Sequence, residues 1–355
     1  ILGISCYYHD AAAALVCDGE IVAAAQEERF SRRKHDPGFP THAIDYCLEA
    51  GKIEPSDLQA AVFYDNPVLT FDRILRSFLH VAPKAVDQWT KAALTWLGFR
   101  LRIQKAIRSK LQTDVAVLFS EHHMSHAASA FYPSPFRDAA ILTLDVVGEW
   151  TTTAIGVGRG ESVELLEEIR FPHSLGLLYS AFTYYCGFKV NSGEYKLMGL
   201  AAYGHARYEK LIREHLIDLR PDGSYRLNVE YFGFLDSNRM INEKFEDLFG
   251  GPPREPESPI TRREMDLAAS VQKVTEDAML RLATHAREMT GMSCLVMAGG
   301  VALNSVANGK LAEKRIFDRI WIQPAAGDAG GSLGAALLAA YCCYGAHRQM
   351  GERGR

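Results

Sequence analysis

Long apolar runs are missing from this sequence of 355 residues. Runs such as AAILTL and CLVMA end well before the roughly 20 residues that a membrane helix needs, so no membrane-spanning segment is expected. A positive charge excess is missing as well, because the formal net charge is -4 and the pI is about 6.3. Only RFSRRKH at 29–35 is locally basic, and a nucleic-acid partner is therefore not expected.

A disulfide pattern is also missing. The seven cysteines are an odd number, form no CxxC pair and lie in apolar contexts at Cys6, Cys17, Cys47, Cys186, Cys294, Cys342 and Cys343. We therefore expect no disulfide framework and predict a reducing, cytoplasmic location.

The length is typical of one large or two medium α/β domains. The first 26 residues read as three strands, ILGISCYY, AAAALVC and EIVAAAQ, which predicts an antiparallel meander. The segments DAAILTL, TTTAIGVGRG and SVELLEEIRF repeat this pattern after residue 138. We therefore predict two related halves, 1–137 and 138–355, around a central cleft.

Helices are predicted from the spacing of apolar residues. THAIDYCLEAG ends in Gly51, a favourable helix C-cap, and residues 68–112 read as a mostly helical, insertion-like layer. EHHMSHAASAFY is predicted to be a helix, and others are expected near 174–186 and 261–290, from about residue 302, and after AAGDAGG.

Two histidines four residues apart, His122 and His126, are the clearest candidates for a metal site. On a helix they share one face with their rings about one turn apart, the spacing that two ligands of one metal need. Two polar side chains on a helix surface would show the same spacing, so that alternative stays open.

Two acidic residues follow strands at glycine-containing turns: Asp145 in LTLDVVGEW and Asp328 in PAAGDAGG. A carboxylate at the carboxyl end of a buried strand points to the cleft in which open α/β sheets bind ligands. With the two histidines, these carboxylates would form a shell suited to Fe²⁺ or another borderline divalent metal. The alternative is that each aspartate only caps a turn or a helix.

MAGGVALN at 297–304 follows an apolar strand and opens a helix. Gly299 and Gly300 would let backbone amides approach a phosphate, the helix N-terminus favours negative charge, and Asn304 could hydrogen-bond a nucleotide. GDAGGSLGAA has the same features. A close-packed strand-to-helix turn without a ligand is the alternative.

Two further polar regions are candidates for ligand contacts. NSGEYKLMGLAAYG at 191–204 reads as a loop able to wrap a polyphosphate, with Gly193 and Lys196 among its polar groups, although a solvated loop fits equally well. His9 in the YYHD block and Lys34 in the RKH block place ionisable groups beside the first meander, where an acyl oxygen or a hydroxyl could be held. Either group alone would be ordinary on a surface.

Seven blocks occur in order along nearly the whole chain: ILGISCYYHDAAAALV, EERFSRRKHDPGFP, EHHMSHAASAFYPSPF, LTLDVVGEWTTT, SGEYKLMGLAAYG, MAGGVALNSVANGKL and QPAAGDAGGSLGAA. Together they resemble the O-carbamoyltransferase family, which includes nodulation protein U and the tobramycin and cephamycin carbamoyltransferases. An ordered set of blocks is far more specific than any one of them.

The resemblance implies a duplicated actin/sugar-kinase/Hsp70-like α/β fold, with a metal and an adenine nucleotide in one cleft. The positions that match the family's functional residues are His122, His126, Asp145 and Asp328 as metal ligands, His9 and Lys34 at the transfer site, and Gly299, Gly300 and Asn304 at the nucleotide turn.

The reaction implied is the formation of carbamoyl-adenylate from carbamoyl phosphate and ATP, followed by transfer of the carbamoyl group to a hydroxyl of a small metabolite. We expect His9 to assist removal of the acceptor's proton and Lys34 to neutralise charge. The helical segment at 68–112 is expected to shape acceptor specificity.

Two features depart from the family pattern. The family's Asp-Gly-x-Gly-Glu block reads here with Val146 after Asp145, which places a β-branched side chain beside the metal. Family members also continue for roughly two hundred residues, the size of a domain, into a YrdC-like domain that forms the adenylate. That domain is absent from this sequence, so we expect the transfer half-reaction here and adenylate formation by a missing domain or a YrdC-like partner.

Two other functions stay open. A tRNA threonylcarbamoyl-type transferase shares the HxxxH pair and the late aspartate, but it is not expected to carry the KHDPGFP or SGEYKLMGL blocks. A non-catalytic module that binds nucleotide and metal is the second. The sequence favours carbamoyl transfer to a small metabolite.

Overall fold

Two five-stranded mixed sheets form the framework of the protein in a computed structural model, which describes residues 1–98 and 102–348. The first sheet contains β1 (Leu2–Ser5), β2 (Ala12–Cys17), β3 (Glu20–Gln26), β4 (Ala60–Phe63) and β5 (Ala116–Phe119). The second begins with β6 (Asp138–Leu144), β7 (Thr151–Arg159) and β8 (Ser162–Arg170) and, after a separate pair of β9 (Ile217–Leu219) and β10 (Tyr225–Leu227), ends with β11 (Cys294–Ala298) and β12 (Arg319–Ile322).

Both sheets have the same topology. The strand order is β3-β2-β1-β4-β5 in one and β8-β7-β6-β11-β12 in the other. In each sheet, three strands form an antiparallel meander. The first strand of the meander also pairs with a parallel strand, and that strand pairs with a second parallel strand at the sheet edge. The repeat confirms the duplicated α/β fold of actin/sugar-kinase/Hsp70-like type and both meanders expected from the sequence.

Helices connect and cover the strands. They are α1 (Glu28–Ser31), α2 (Thr41–Gly51), α3 (Pro67–Val81), α4 (Val86–Gly98), α5 (Ile103–Leu111), α6 (His122–Phe131), α7 (Leu175–Tyr185), α8 (Glu194–Ala201), α9 (Glu209–Leu211), α10 (Glu243–Leu248), α11 (Arg262–Thr290), α12 (Ser305–Lys314) and α13 (Asp328–Cys342). The segment predicted to be helical at 68–112 forms α3, α4 and α5, and its residues 99–101 lie outside the described part. No helix in the described ranges is long and apolar enough to cross a membrane.

Two segments differ from the sequence-based expectation. The predicted loop at 191–204 is largely the helix α8, because the carboxylate of Glu194 turns back to accept hydrogen bonds from the backbone amides of Asn191 and Gly193 and so closes the first turn. The helix expected from about residue 302 begins as one 3₁₀ turn, Gly300–Leu303, and the α-helix starts only after the N-cap Asn304.

Helices α6 and α13 pack together between the two sheets. One apolar cluster joins Val16 of β2, Phe131 of α6, Ile141 of β6 and Ala336 of α13, all with 0% exposed surface. The last described helix, α13, also packs on β1 and β2, so the chain returns to the first sheet after completing the second. The division into halves at 137/138 stays a prediction.

Candidate metal and nucleotide site

The four residues predicted as metal ligands lie together in the interior. His122 and His126 project from the same face of α6, Asp145 follows β6 directly, and Asp328 is the first residue of α13. Each of the four is at most 6% exposed. The Nε2 atom of His122 lies 3.0 Å from Nε2 of His126 and 2.8 Å from Oδ2 of Asp145, and one ligand atom from each residue lies within 4.8 Å of the others.

The charges of this cluster stabilise each other. Burial by itself would raise the pKa of Asp145, but the hydrogen bonds and charges of His122 and His126 hold that pKa well below its usual range. Burial would lower the pKa of His126, yet the contacts with Asp145 and Asp328 raise it to about 9. A proton on His126 thus compensates the buried carboxylates, and a divalent cation would displace that proton.

The donor set fits a borderline divalent metal. Two imidazole nitrogens face each other and two carboxylates flank them, which is a mixture of ligands that suits iron, zinc or a similar ion. One feature is less favourable for metal binding. Nδ1 of His126 is buried and has no hydrogen-bond partner among the described residues. Metal-bound histidines usually donate that second N–H to a carbonyl or a carboxylate.

His9 lies beside the four candidate ligands. Its Nε2 is 3.7 Å from Oδ2 of Asp328, and its Nδ1 is 2.8 Å from Oδ2 of Asp10. Burial would lower the pKa of His9, but the charge of Asp328 and the hydrogen bond with Asp10 raise it to about 9. The structure therefore brings the predicted transfer histidine to the predicted metal site.

Asp10 of the YYHD block contacts His35 of the RKH block. Its second carboxylate oxygen, Oδ1, lies 2.7 Å from Nδ1 of His35, so His9, Asp10 and His35 form a continuous polar chain. Asp10 and His35 both have left-handed backbone conformations, with φ values of 53° and 55°. Backbone strain of this kind concentrates at functional sites. The sequence signal for Asp10 and His35 was their position beside His9 and Lys34.

A cavity of about 220 Å³ adjoins this cluster and is lined by residues that precede and follow residue 138. His9, Lys34 and Asp145 all line it. The ammonium group of Lys34 lies 4.7 Å from the ring centre of Tyr195 on α8, so the two sides of the cavity meet at this pair. Lys34 is thus placed in the same cavity as His9.

The predicted nucleotide turn borders the same cavity, but its polar groups have partners within the protein. The N–H of Gly299 donates to the carbonyl of Ala326, and the N–H of Gly300 donates to Oδ1 of Asp145. Gly300 and Asn304 line the cavity. The glycines therefore allow close approach of the backbone, while the contact of their amides with a phosphate stays a prediction.

Asn304 is held from several directions. Its Oδ1 accepts hydrogen bonds from the backbone N–H of Ala307 and from the amide of Gln272, and its Nδ2 donates to Oε1 of Gln272. Gln272 in turn accepts a hydrogen bond from Tyr179. Asn304 acts here as a helix cap and as part of a buried amide pair, and its contact with a nucleotide stays a prediction.

The two candidates from the 191–204 segment do not line the cavity. Gly193 is the buried N-cap of α8, and Lys196 is exposed on that helix. Asn191, Ser192 and Tyr195 line the cavity instead. The expected loop is a helix here, and the contact of Gly193 and Lys196 with a polyphosphate stays a prediction.

The valine after Asp145 leaves the turn intact. The N–H of Asp145 donates to the carbonyl of Thr152, and the N–H of Gly148 donates to that of Thr151. Val146 itself lines the cavity. Val146 therefore forms part of the cavity wall, in a turn whose flanking residues Asp145 and Gly148 both donate backbone hydrogen bonds.

The sequence matches the family described as Carbamoyltransferase N-terminus over residues 1–337. The chain belongs to this family. The expected resemblance to O-carbamoyltransferases is thereby confirmed.

Several curated proteins are similar to this family member. It is 55% identical over 345 residues to an uncharacterized protein of Synechocystis sp., covering 95% of this chain and 56% of that protein. It is 35% identical to nodulation protein NolNO of Sinorhizobium fredii, covering 94% and 46%, and 24% identical to 3'-hydroxymethylcephem-O-carbamoyltransferase of Amycolatopsis lactamdurans, covering 93% and 57%. The chain spans about half the length of the curated relatives it matches.

One residue of this family member that sequence reasoning missed is Glu149, in the GEW tripeptide after Asp145. Its buried carboxylate accepts hydrogen bonds from the backbone N–H groups of His122 and Asn66. It therefore fixes the first turn of α6 and joins that turn to the start of α3. Burial and the nearby charge of Asp65 hold the pKa of Glu149 well above its usual range. The sequence signal for Glu149 was an acidic residue directly after the glycine of this turn.

Proposed function

We propose that this chain carries out carbamoyl transfer from carbamoyl-adenylate to a hydroxyl of a small metabolite, with a divalent metal held by His122, His126, Asp145 and Asp328. The observation that carries the proposal is the convergence of these four buried residues beside a cavity lined by His9 and the GGVALN turn, in a member of a carbamoyltransferase family. When bound, the cation would polarise the carbamoyl oxygen as a Lewis acid.

The protein's own residues supply proton transfer and positioning. The acceptor's hydroxyl oxygen forms a bond to the carbamoyl carbon while the bond from that carbon to the phosphate oxygen of AMP breaks, and its electron pair leaves with AMP. The hydroxyl proton passes to Nε2 of His9, because Nδ1 is already bound to Asp10. Lys34, in the same cavity, neutralises negative charge that develops during this step.

The raised pKa of His9 sets a condition on this role. With a pKa of about 9, His9 is mainly protonated at neutral pH and cannot accept another proton. The charge of Asp328 contributes to this shift. A cation held by the candidate ligands would offset that charge and lower the pKa of His9, which favours the neutral form that a base requires.

Metal binding is tested by equilibrium dialysis of the protein against Fe²⁺ without oxygen, and against Zn²⁺. We expect His126→Gln and Asp328→Asn each to lower metal affinity by at least about tenfold, since even loss of an outer-shell contact typically costs that much. His80→Gln, an exposed histidine on α3, is the matched control and should bind as the parent protein does. Equal affinity of all four proteins would refute the metal site.

Transfer is tested with radiolabelled carbamoyl phosphate, ATP and a panel of small hydroxylated metabolites, with and without a YrdC-like protein that forms the adenylate. We expect label in the acceptor only when adenylate is formed, and His9→Asn should lower the rate by about 10²- to 10⁴-fold. Unchanged transfer by His9→Asn from supplied carbamoyl-adenylate would remove the base role. Metal and nucleotide binding without product in either arm would favour a non-catalytic module.

A further inference from the structure

A second and larger cavity, of about 440 Å³, also borders the candidate metal site. His122 and Gly148 form the wall toward the metal ligands, and helices α3 and α4 form the opposite wall. It is thus distinct from the cavity of about 220 Å³ that contains His9, Lys34 and the nucleotide turn. Two compartments therefore approach the same metal site, and the nucleotide turn belongs to only one of them.

The charged groups in the wall of this second cavity are basic. Arg73 of α3 and Lys91 of α4 line it, and no acidic side chain does so among the residues that the structure describes. The remaining wall is mainly aromatic and aliphatic, with Tyr8, Tyr64 and Trp96 among its members. A neutral sugar would find few hydrogen-bond acceptors for its hydroxyl groups here. A compact molecule with an apolar face and a negative charge would contact both the apolar wall and the basic side chains.

Arg73 is the central residue of this wall. Its Nε is buried and has no hydrogen-bond partner in the described ranges, and none of the described acidic residues forms an ion pair with it. Its guanidinium carbon lies 5.1 Å from the ring centre of Phe171, which holds the planar group in one orientation. Arg73 also lines the cavity, and a carboxylate or phosphate there would pair with a guanidinium group that no described acidic residue binds.

The nearest acidic residues are committed elsewhere. Asp65 accepts a hydrogen bond from the hydroxyl of Thr70, and Glu149 accepts from the backbone amides of Asn66 and His122. They contribute to the electrostatic environment of Arg73 without binding its guanidinium group. Arg73 therefore lines this cavity, and also a neighbouring one of about 170 Å³ beside Phe171, without an ion pair to a carboxylate among the described residues.

We propose that this second cavity binds the acceptor of the transfer reaction and that Arg73 selects acceptors that carry a carboxylate or a phosphate in addition to the reacting hydroxyl. The identification of the ligand as the acceptor rests on the proposed carbamoyl transfer. The selection of anions by the cavity is a separate property, which binding experiments measure without any transfer. Arg73 holds the anionic group, and the hydroxyl is then placed toward His122 and the other candidate metal ligands.

The test is calorimetric titration of the protein with matched neutral and anionic probes: glucose against gluconate and glucose 6-phosphate, and glycerol against glycerate and glycerol 3-phosphate. We expect at least one anionic probe to bind about tenfold to hundredfold more tightly than its neutral partner, the range of a hydrogen bond to a charged group. Arg73→Gln should remove that difference. Binding of no anionic probe, or equal binding of each pair, overturns the proposal.

Arg76→Gln is the matched control, because Arg76 lies one turn along α3, is exposed and pairs with Asp72 outside the cavity. It should keep the full preference for anions. If Arg73→Gln does not fold, Lys91→Gln at the exposed side of the cavity serves instead and should weaken binding of the anionic probes alone. Retention of the anion preference by the folded cavity variants overturns the assignment.

The two proposals fail in different experiments. Anion-selective binding that depends on Arg73, together with no carbamoyl transfer to any probe, would leave the anion site in place and contradict the proposed reaction. Transfer to glucose and glycerol at the same rate as to their anionic partners would support the reaction and contradict the selectivity.

Discussion

At the scale of single residues, Asn304 shows how a polar side chain near a ligand cavity stabilises the fold. It caps α12 through the N–H of Ala307 and forms two hydrogen bonds with the buried Gln272. Loss of a helix cap costs about 1 kcal/mol, and leaving a buried amide unsatisfied costs about 1–3 kcal/mol more. We therefore expect Asn304→Ala to lower the free energy of unfolding by about 2–4 kcal/mol in urea titrations.

Asn304→Asp is the informative control for this prediction. An aspartate keeps the acceptor for the N–H of Ala307 and for Nε2 of Gln272, but it has no donor for Oε1 of Gln272. The stability of Asn304→Asp should lie between that of the parent protein and that of the alanine variant. An alanine variant as stable as the parent would show that the capping and pairing contacts contribute nothing net.

At the scale of an element, the N-terminus of α11 makes stability depend on pH. Glu264 accepts hydrogen bonds from the backbone N–H and the hydroxyl of Thr261, which closes a capping box. Burial would raise the pKa of Glu264, but these hydrogen bonds lower it below the ordinary value of 4.5. The stabilisation is therefore present above about pH 4.5 and is lost as the pH falls through the folded pKa.

Chemical unfolding of the parent and Glu264→Gln between pH 7 and pH 3 measures this effect. We expect the parent to be more stable at pH 7, and the difference between the two proteins to shrink as the pH falls below about 4.5, because other carboxylates titrate equally in both. A difference that stays constant over this range would show that the charge of Glu264 is not what stabilises the box.

The helix α12 carries a glycine that its conformation does not require. Gly309 lies in the helix interior, is exposed, and a Cβ added there would meet nothing within 4 Å. We expect Gly309→Ala to raise the free energy of unfolding by about 0.5–1 kcal/mol, measured by denaturant titration, because alanine loses less backbone entropy on folding.

Gly299, at the start of the 3₁₀ turn that precedes α12, should respond in the opposite way. Its φ of +96° and the 2.2 Å distance from an added Cβ to the carbonyl oxygen of Leu144 exclude a side chain without movement of the backbone. Gly299→Ala should therefore lower the stability by more than about 1 kcal/mol. Equal effects of the two substitutions would contradict this account of the turn.

At the scale of the whole molecule, the contact between α6 and α13 joins the two pairs of candidate ligands. A Cβ added at Gly334 of α13 would lie 1.8 Å from the carbonyl oxygen of Ser125, which lies on α6 between His122 and His126. Gly334→Ala must therefore push these helices apart. We expect it to cost about 1–3 kcal/mol of stability by overpacking, and to lower metal affinity because Asp328 moves away from His126.

Thermal unfolding and metal dialysis of Gly334→Ala check both parts of this expectation. Gly309→Ala, a glycine-to-alanine change remote from the α6–α13 contact, is the control and should leave metal affinity unchanged. A folded Gly334→Ala protein with unchanged metal affinity would show that the ligand geometry does not depend on the α6–α13 contact.

Much of this architecture follows from local sequence patterns. The three short strand-like segments in the first 26 residues predict the first meander, and the same reasoning predicts the second, because strand preferences depend on neighbours a few residues away. The spacing of His122 and His126 places them on one helix face for the same reason. The strand-to-turn positions of Asp145 and Asp328 made them candidates for the same metal shell. Resemblance to a known family supported that grouping and the role of His9, which no local period connects to the histidines.

Only the tertiary structure decided which groups meet and which are already occupied. Asp328 lies near His126 because α13 returns to pack between the sheets, and no spacing in the sequence encodes that contact. The amides of Gly299 and Gly300 have partners in Ala326 and Asp145, distant in the sequence. Periodicity reveals the face of an element, whereas the partner of each polar group and the cavity beside Arg73 depend on how all the elements pack.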